Sequence, residues 1–237
     1  MRRPTAWRAA GGTLAVGFVV CAVFALLAAV VYDAVTEADG IAVLDEPVLT
    51  AALAVRTPGL TRVVAAFTDL GGTLGMTILV GALACVLAWA RRSLEPILLT
   101  AVTAAGSVSM TVIAKAAVGR TRPPFVDAVP PFESSFAFPS GHSLNSMALV
   151  GVLAYLAVAH WRRGWARVAV LVVAAAFVVS MGLSRVYLGH HWFTDVLGAW
   201  TLALAWLTVV VTAHRVYLRS ARARRRPSQS PAANDTM

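Results

Sequence analysis

Residues 139–160 read PSGHSLNSMALVGVLAYLAVAH, a knot of turn and polar residues followed by an uncharged run from 143 to 160. A run of that length without Asp, Glu, Lys or Arg can cross the hydrocarbon core of a bilayer as a helix. Five further apolar stretches stand at roughly 12–32, 72–90, 96–117, 166–183 and 193–213. Six spans predict an all-α, polytopic membrane protein, with one six-helix transmembrane bundle built from residues 1–217. Composition points the same way. Of the 237 residues, 59% are apolar and 13% charged, and the mean hydropathy is +0.75; a soluble domain carries about 25% charged residues. Trp165, Tyr187, Trp192 and Trp200 lie near span ends, where the lipid–water interface favours such rings. Gly81 and Gly151 fall inside spans, where lipid tolerates glycine better than water does.

The net charge of +9 is distributed by topology. Arg2, Arg3 and Arg8 precede the first span, and Arg91 and Arg92 separate the second from the third. Arg162, Arg163 and Arg167 separate the fourth from the fifth, and Arg215, Arg219, Arg222 and a further arginine run follow the sixth. If the spans alternate, all of these share one side, and the positive-inside rule makes it the cytoplasm, with both termini there. Anionic headgroups would reinforce the basic tail. No folded nucleic-acid reader or basic–aromatic surface accompanies the charge, so nucleic acid is not an expected partner. The other side receives Asp33, Glu37, Asp39, Asp45, Glu46, Asp69, Asp127 and Glu133. Cys21 and Cys85 fall within spans, where thiols behave as small apolar groups, and no disulfide is expected. The first span is too long for the apolar part of a cleaved signal peptide and is read as retained. Residues 218–237, basic and then rich in Pro, Ser and Ala, read as a disordered cytoplasmic tail.

Two outer connections are long. Between about 45 and 70, Asp45-Glu46-Pro47 looks like a helix start, and Thr57-Pro58-Gly59 interrupts a roughly helical spacing of apolar residues. One or two short helices in the membrane interface fit that pattern. Residues 118–139 form the second, with Pro123, Pro124, Pro130, Pro131 and Pro139.

Most polar residues suited to chemistry fall in three segments, all on the acidic, outer side. Lys115 ends the third span, and Arg122 precedes Pro123-Pro124, which restricts its backbone. A charge at a span end has a bland explanation in snorkelling to the interface, but a fixed Arg and a Lys also suit the oxygens of a phosphoryl group. Ser140 can cap the fourth span, whose N-terminus offers free N–H groups to an anion; Gly141 lets backbone approach closely, and His142 stands on the first turn. His191 and Asp195 are four apart and share a face if the chain is helical there. The carboxylate could then accept the Nδ1 proton and leave Nε2 free as a nucleophile. Arg185 adds another cation, while His190 points away from Asp195 on the same assumption.

Other readings of these residues are weaker. Ser140 lacks the G-x-S-x-G elbow of a hydrolase nucleophile. The histidines could ligate a metal, but Lys115, Arg122 and Arg185 would surround that cation with positive charge, so no metal is expected. His160 and His214, near cytoplasmic span ends without a nearby carboxylate, read as structural.

Lys115-x6-Arg122-Pro123, Pro139-Ser140-Gly141-His142 and Ser184-Arg185-x5-His191-x3-Asp195 together resemble the type 2 phosphatidic acid phosphatase superfamily, in order and in spacing. The motifs cover about a quarter of the chain, and the six-span layout extends the likeness over most of it. The resemblance implies a membrane phosphatase that needs no cofactor or metal. It implies His191 as nucleophile, forming a phosphohistidine, with Asp195 holding its ring. It implies that His142 protonates the departing oxygen and then activates water, and that Lys115, Arg122, Ser140, Gly141 and Arg185 bind the phosphate. The superfamily's soluble haloperoxidases are poor analogues for a chain with six spans.

The expected function is therefore hydrolysis of a lipid phosphomonoester or pyrophosphate at the extracytoplasmic face of the plasma membrane. Polyprenyl pyrophosphate such as the undecaprenyl carrier, phosphatidic acid and phosphatidylglycerol phosphate are the candidate substrates, and an outward-facing site leans toward the first. Transfer of the phosphoryl group to an alcohol, or a non-catalytic lipid-phosphate binder or transporter, are the alternatives.

Overall fold

The structure, a computed structural model, describes residues 4–161 and 163–225. The described residues are largely helical, and among them six helices are long and apolar enough to cross a membrane. These are α1 (Pro4–Glu37), α4 (Thr73–Arg91), α5 (Glu95–Val118), α6 (Gly141–His160), α7 (Gly164–Tyr187) and α8 (Phe193–Arg225). Between α1 and α4 come a short 3₁₀ turn at Gly40–Leu44, α2 (Asp45–Ala54) and α3 (Pro58–Asp69). Local chemistry sets several boundaries. Thr57 caps α3, accepting the Leu60 N–H, and Pro58 takes the first helical position. Arg92 and Gly119 end α4 and α5 in the left-handed conformation.

Helix α6 is the centre of the bundle and touches α4, α5, α7 and α8. It is also the least apolar span, with a mean hydropathy of 1.5 against 3.0 for α1. Burial explains the order: 56% of its span lies inside the protein, compared with 11% for α1. A helix that lipid must solvate needs an apolar surface all round, whereas one enclosed by protein can carry serines. Ser143 and Ser146 are fully buried on α6. Met76, Val80 and Ala84 of α4 pack on Leu149 and Leu153, and Leu144 and Ala148 pack on Ala199 and Ala203 of α8. Glycines set close contacts: a Cβ at Gly106, Gly151 or Gly182 would collide with Trp206, Leu207 or Trp200.

The turn between α4 and α5 and the second half of α8 meet at one end of the bundle, where Arg91 pairs with Glu95 at 3.2 Å. Glu95 also lies 3.1 Å from His214 Nε2, whose Nδ1 is 2.9 Å from the Tyr155 hydroxyl. His214 thus has the carboxylate that its sequence neighbourhood lacked. Segment 38–72, which holds α2 and α3, and the loops 119–140 and 188–192 gather at the other end.

Three other expectations change. Tyr187 is buried rather than placed in an interfacial belt; its hydroxyl lies 3.1 Å from Thr61 Oγ1 and the Arg56 guanidinium sits 5.7 Å above its ring. Trp200 turns inward, over Gly182, because α7 and α8 leave a glycine-sized gap that an indole fills. Helix α8 continues to Arg225, beyond the boundary at 217; the rest of the expected tail, 226–237, lies outside the described residues.

Candidate active site

The site is assembled from three inter-helix junctions. Helix α7 ends at Tyr187, and Gly189, with φ +71°, reverses the chain before α8 begins at Phe193. His191 therefore stands in a turn, not on a helix continuous with Asp195. The two still meet, with His191 Nδ1 3.2 Å from Asp195 Oδ2. What closes the distance is helix capping. Asp195 is the third residue of α8, and its Oδ2 accepts the Trp192 backbone N–H at 2.9 Å, the return half of a capping box. The His191 N–H and the His190 N–H both bond to the Arg185 carbonyl, which fixes the turn.

His191 is 1% exposed. Arg122 Nη1 lies 3.2 Å from its Nε2 and donates to the His190 carbonyl at 2.5 Å. An arginine N–H has no lone pair to offer, so Nε2 faces it as the acceptor and Nδ1 carries the proton toward Asp195. Burial, then the cations Arg122 and Arg185, lower the pKa of His191 well below its ordinary value, which keeps the ring neutral. The pKa of His190 is also lowered, by burial and then Arg185; its Nε2 is 2.6 Å from the Val129 carbonyl, a contact to the 119–140 loop.

The cations converge on the same place. Arg185 is 2% exposed; its Nη1 donates to Thr68 Oγ1 at 3.1 Å, and its Nε has no partner among the described residues. Lys115, in the last turn of α5, donates to the Phe136 carbonyl and to Ser135 Oγ. Arg122 also donates to the Ser135 carbonyl at 2.7 Å. His142 heads α6 close to Gly71, where an added Cβ would overlap Met181 and press on the imidazole. Ser140 is fully buried and spent on structure: its Oγ accepts from the Ser143 N–H and hydroxyl, and its N–H donates to the Asp195 carbonyl. Gly141 and His142 are left at the head of α6, where first-turn N–H groups have no intrahelical acceptor.

Four residues outside the sequence-based set are built into this site. Glu133 of the 119–140 loop reaches in among the cations, with Oε2 2.6 Å from Arg122 Nη2 and Oε1 paired with Arg185. Its Oε2 is 4.0 Å from His191 Nε2. Burial opposes its charge, but the guanidinium groups of Arg185 and Arg122 outweigh burial and hold its pKa at about 2. Thr68, at the end of α3, bridges Arg185 and Ser184. Arg120 contacts Asp195 Oδ1 through Nη1 and Asp45 Oδ2 through Nη2, both at 2.6 Å. Asp45 begins α2, as its sequence predicts, yet its carboxylate is spent on α8, accepting the Thr194 N–H and hydroxyl. Arg120 carried a weak signal, as a charge within the spacing of a motif; the others carried none, because their partners lie 11 to 149 positions away.

A groove of about 530 Å³ leaves this cluster between α4, α5 and α6. Lys115, Glu133 and His142 stand at its head, and Val80, Cys85 and Ile97 lie far along its apolar walls.

The PAP2 superfamily pattern matches residues 95–219, which spans α5 to α8 and all three motifs. The chain belongs to the PAP2 superfamily. Phosphatidylglycerophosphatase B of Bacillus subtilis (strain 168) is 34% identical over 183 residues, covering 76% of this chain and 86% of that protein. The crystal structure of a transmembrane PAP2 type phosphatidylglycerolphosphate phosphatase from Bacillus subtilis superposes with a TM-score of 0.71 at 31% identity, covering 84% of this chain and 96% of that one. LpxE of Aquifex aeolicus shares the fold, with a TM-score of 0.54 at 15% identity over 71% of this chain and 94% of its own. This PAP2 member is a phosphatase built as a multi-pass membrane protein. Asp45 and Thr68 lie outside the matched PAP2 region, in the segment that precedes it.

Proposed function

We propose that this chain hydrolyses a phosphomonoester or pyrophosphate on a lipid, at the extracytoplasmic face of the membrane, through a phosphohistidine. One observation carries the reading: a neutral His191, held by Asp195 and faced by Arg122, sits among Lys115 and Arg185 at the head of an apolar groove. A phosphoryl group would sit among the cations while its lipid tail lies along the groove. The arginine distribution supports the sidedness.

In the first step the Nε2 lone pair of His191 attacks phosphorus, and the bond from phosphorus to the leaving oxygen breaks. Arg122 exchanges Nε2 for a phosphoryl oxygen as that lone pair engages. The unpartnered Nε–H of Arg185, Lys115 and the first N–H groups of α6 supply further donors to the equatorial oxygens. Asp195 stabilises the positive charge that develops on the ring. A protonated His142 gives its proton to the leaving oxygen. In the second step neutral His142 takes a proton from water, the resulting oxygen attacks phosphorus, and the phosphorus–nitrogen bond breaks to release phosphate and neutral His191. Positioning and charge stabilisation account for the acceleration, as phosphoryl transfer requires.

Phosphatidylglycerol phosphate heads the substrates to test, because the sequence match and the structural match from Bacillus subtilis are both named for it; polyprenyl pyrophosphate and phosphatidic acid follow. The test is phosphate release by purified protein in detergent with excess EDTA, with His191→Ala alongside. Turnover that survives EDTA, is absent in the variant, and leaves a phosphohistidine trapped by acid-free quenching is expected. Equal turnover by His191→Ala would overturn the mechanism.

A further inference from the structure

We propose that Arg120, anchored by Asp45 of α2, is a positioning residue that keeps Asp195 charged and aimed at His191, so that the interfacial segment is part of the catalytic apparatus. The proposal rests on the phosphohistidine reading above.

Asp195 is fully buried, and a buried carboxylate without a cation lowers its cost by taking up a proton. A protonated Asp195 is a poor acceptor for the His191 Nδ1–H and could donate to that nitrogen instead, placing the imidazole proton on Nε2 and abolishing the nucleophile. Oδ2 of Asp195 is occupied by the Trp192 N–H and by His191. Among the described residues Arg120 alone bonds to Oδ1, at 2.6 Å, and it is the cation in direct contact with the carboxylate.

Arg120 is in turn held on several sides. Its Nη2 meets Asp45 at 2.6 Å, its Nη1 also contacts Thr194 Oγ1 at 2.8 Å, and its guanidinium stands 5.7 Å from the centre of the Trp192 ring. Asp45 is 4% exposed and accepts the Thr194 N–H at 2.8 Å and the Thr194 hydroxyl at 2.7 Å. It therefore joins α2 both to the guanidinium and to the first turn of α8, which carries Asp195. The planar fork reaches both carboxylates at once, a geometry that a lysine ammonium cannot reproduce. A buried ion pair with only a packing role would touch no reacting residue; this one ends on the carboxylate that orients the nucleophile.

The test is a double-mutant cycle on the full chain in detergent: wild type, Arg120→Met, Asp195→Asn and both together. Arg120→Met should lower kcat by about 100-fold while KM changes less than about threefold, the pattern of a lost transition-state interaction. Residues acting through one another are non-additive, so the double variant should be no more than about threefold slower than Asp195→Asn alone. Losses that multiply, or Arg120→Met turning over at the wild-type rate, would overturn the proposal. If Arg120→Met does not fold, the same cycle with Asp45→Asn decides: a smaller kcat loss, of about tenfold, should again vanish in the Asp195→Asn background, and multiplication overturns the proposal. His191→Ala separates the two levels of the argument. Inactive His191→Ala beside fully active Arg120→Met rejects this inference alone, whereas active His191→Ala rejects the phosphohistidine reading and this inference with it.

Discussion

Glu133 occupies the position in which an anion meets the most positive charge, bound to Arg122 and Arg185 at once. A substrate phosphate that uses those arginines must displace it. Glu133→Gln should therefore lower KM several-fold and tighten product inhibition by inorganic phosphate, both measured from initial rates. An unchanged or raised KM would count against the competition. The pH dependence has a definite sign. The carboxyl's pKa is depressed to about 2, so its charge persists through the acid range and its contribution to stability is lost only as pH falls from its unfolded value toward 2. The KM advantage of Glu133→Gln should accordingly be the same at pH 5 and pH 8. Nothing in the sequence singles out Glu133 from seven other acids on its side. By contrast, the contact between His191 and Asp195 was legible from spacing, although capping of α8 and not helical continuity brings it about.

The elements divide by how their partners are specified. The long spans were legible because lipid demands the same composition of any helix exposed to it. Their pairing depends on small contacts that hydropathy does not encode. Gly106 of α5 accepts the face of Trp206 from α8, and the indole cannot swing aside without losing its 3.1 Å bond to the Thr103 carbonyl. Gly106→Val should destabilise the bundle by about 1–3 kcal/mol through overpacking, seen as a lower thermal midpoint in detergent; an unchanged midpoint would show that the α5–α8 contact yields. Helices α2 and α3 were expected as a segment in the interface. Through Asp45 and Thr68, with Arg56 from the turn between them, they brace the α7–α8 turn: Arg56 bonds to the Tyr187 carbonyl at 2.8 Å, and Thr68 to Arg185. An amphipathic spacing marks such helices as surface-seeking but does not name the surface.

For the whole molecule, the arginine-rich end and the site end are opposite, and the charge rule turns that polarity into an orientation. With Cys21 and Cys85 replaced by Ala, Val126→Cys, at a position 88% exposed in the outer loop, should react with a membrane-impermeant maleimide in intact cells. Ser93→Cys, in the turn between α4 and α5, should react only after lysis. The reverse pattern would invert the topology and place the site on the cytoplasmic side. The sequence by itself determined the number of spans, the polarity of charge and the three motifs. Each follows from local constraints: hydrocarbon selects apolar runs, and phosphoryl chemistry selects residues at short spacings. The tertiary structure decided which loop acid enters the site, which arginine supports Asp195, and which helix reaches across to hold it. Those choices depend on side chains distant in the chain meeting at one buried point, where an unpaired charge is too costly to leave alone.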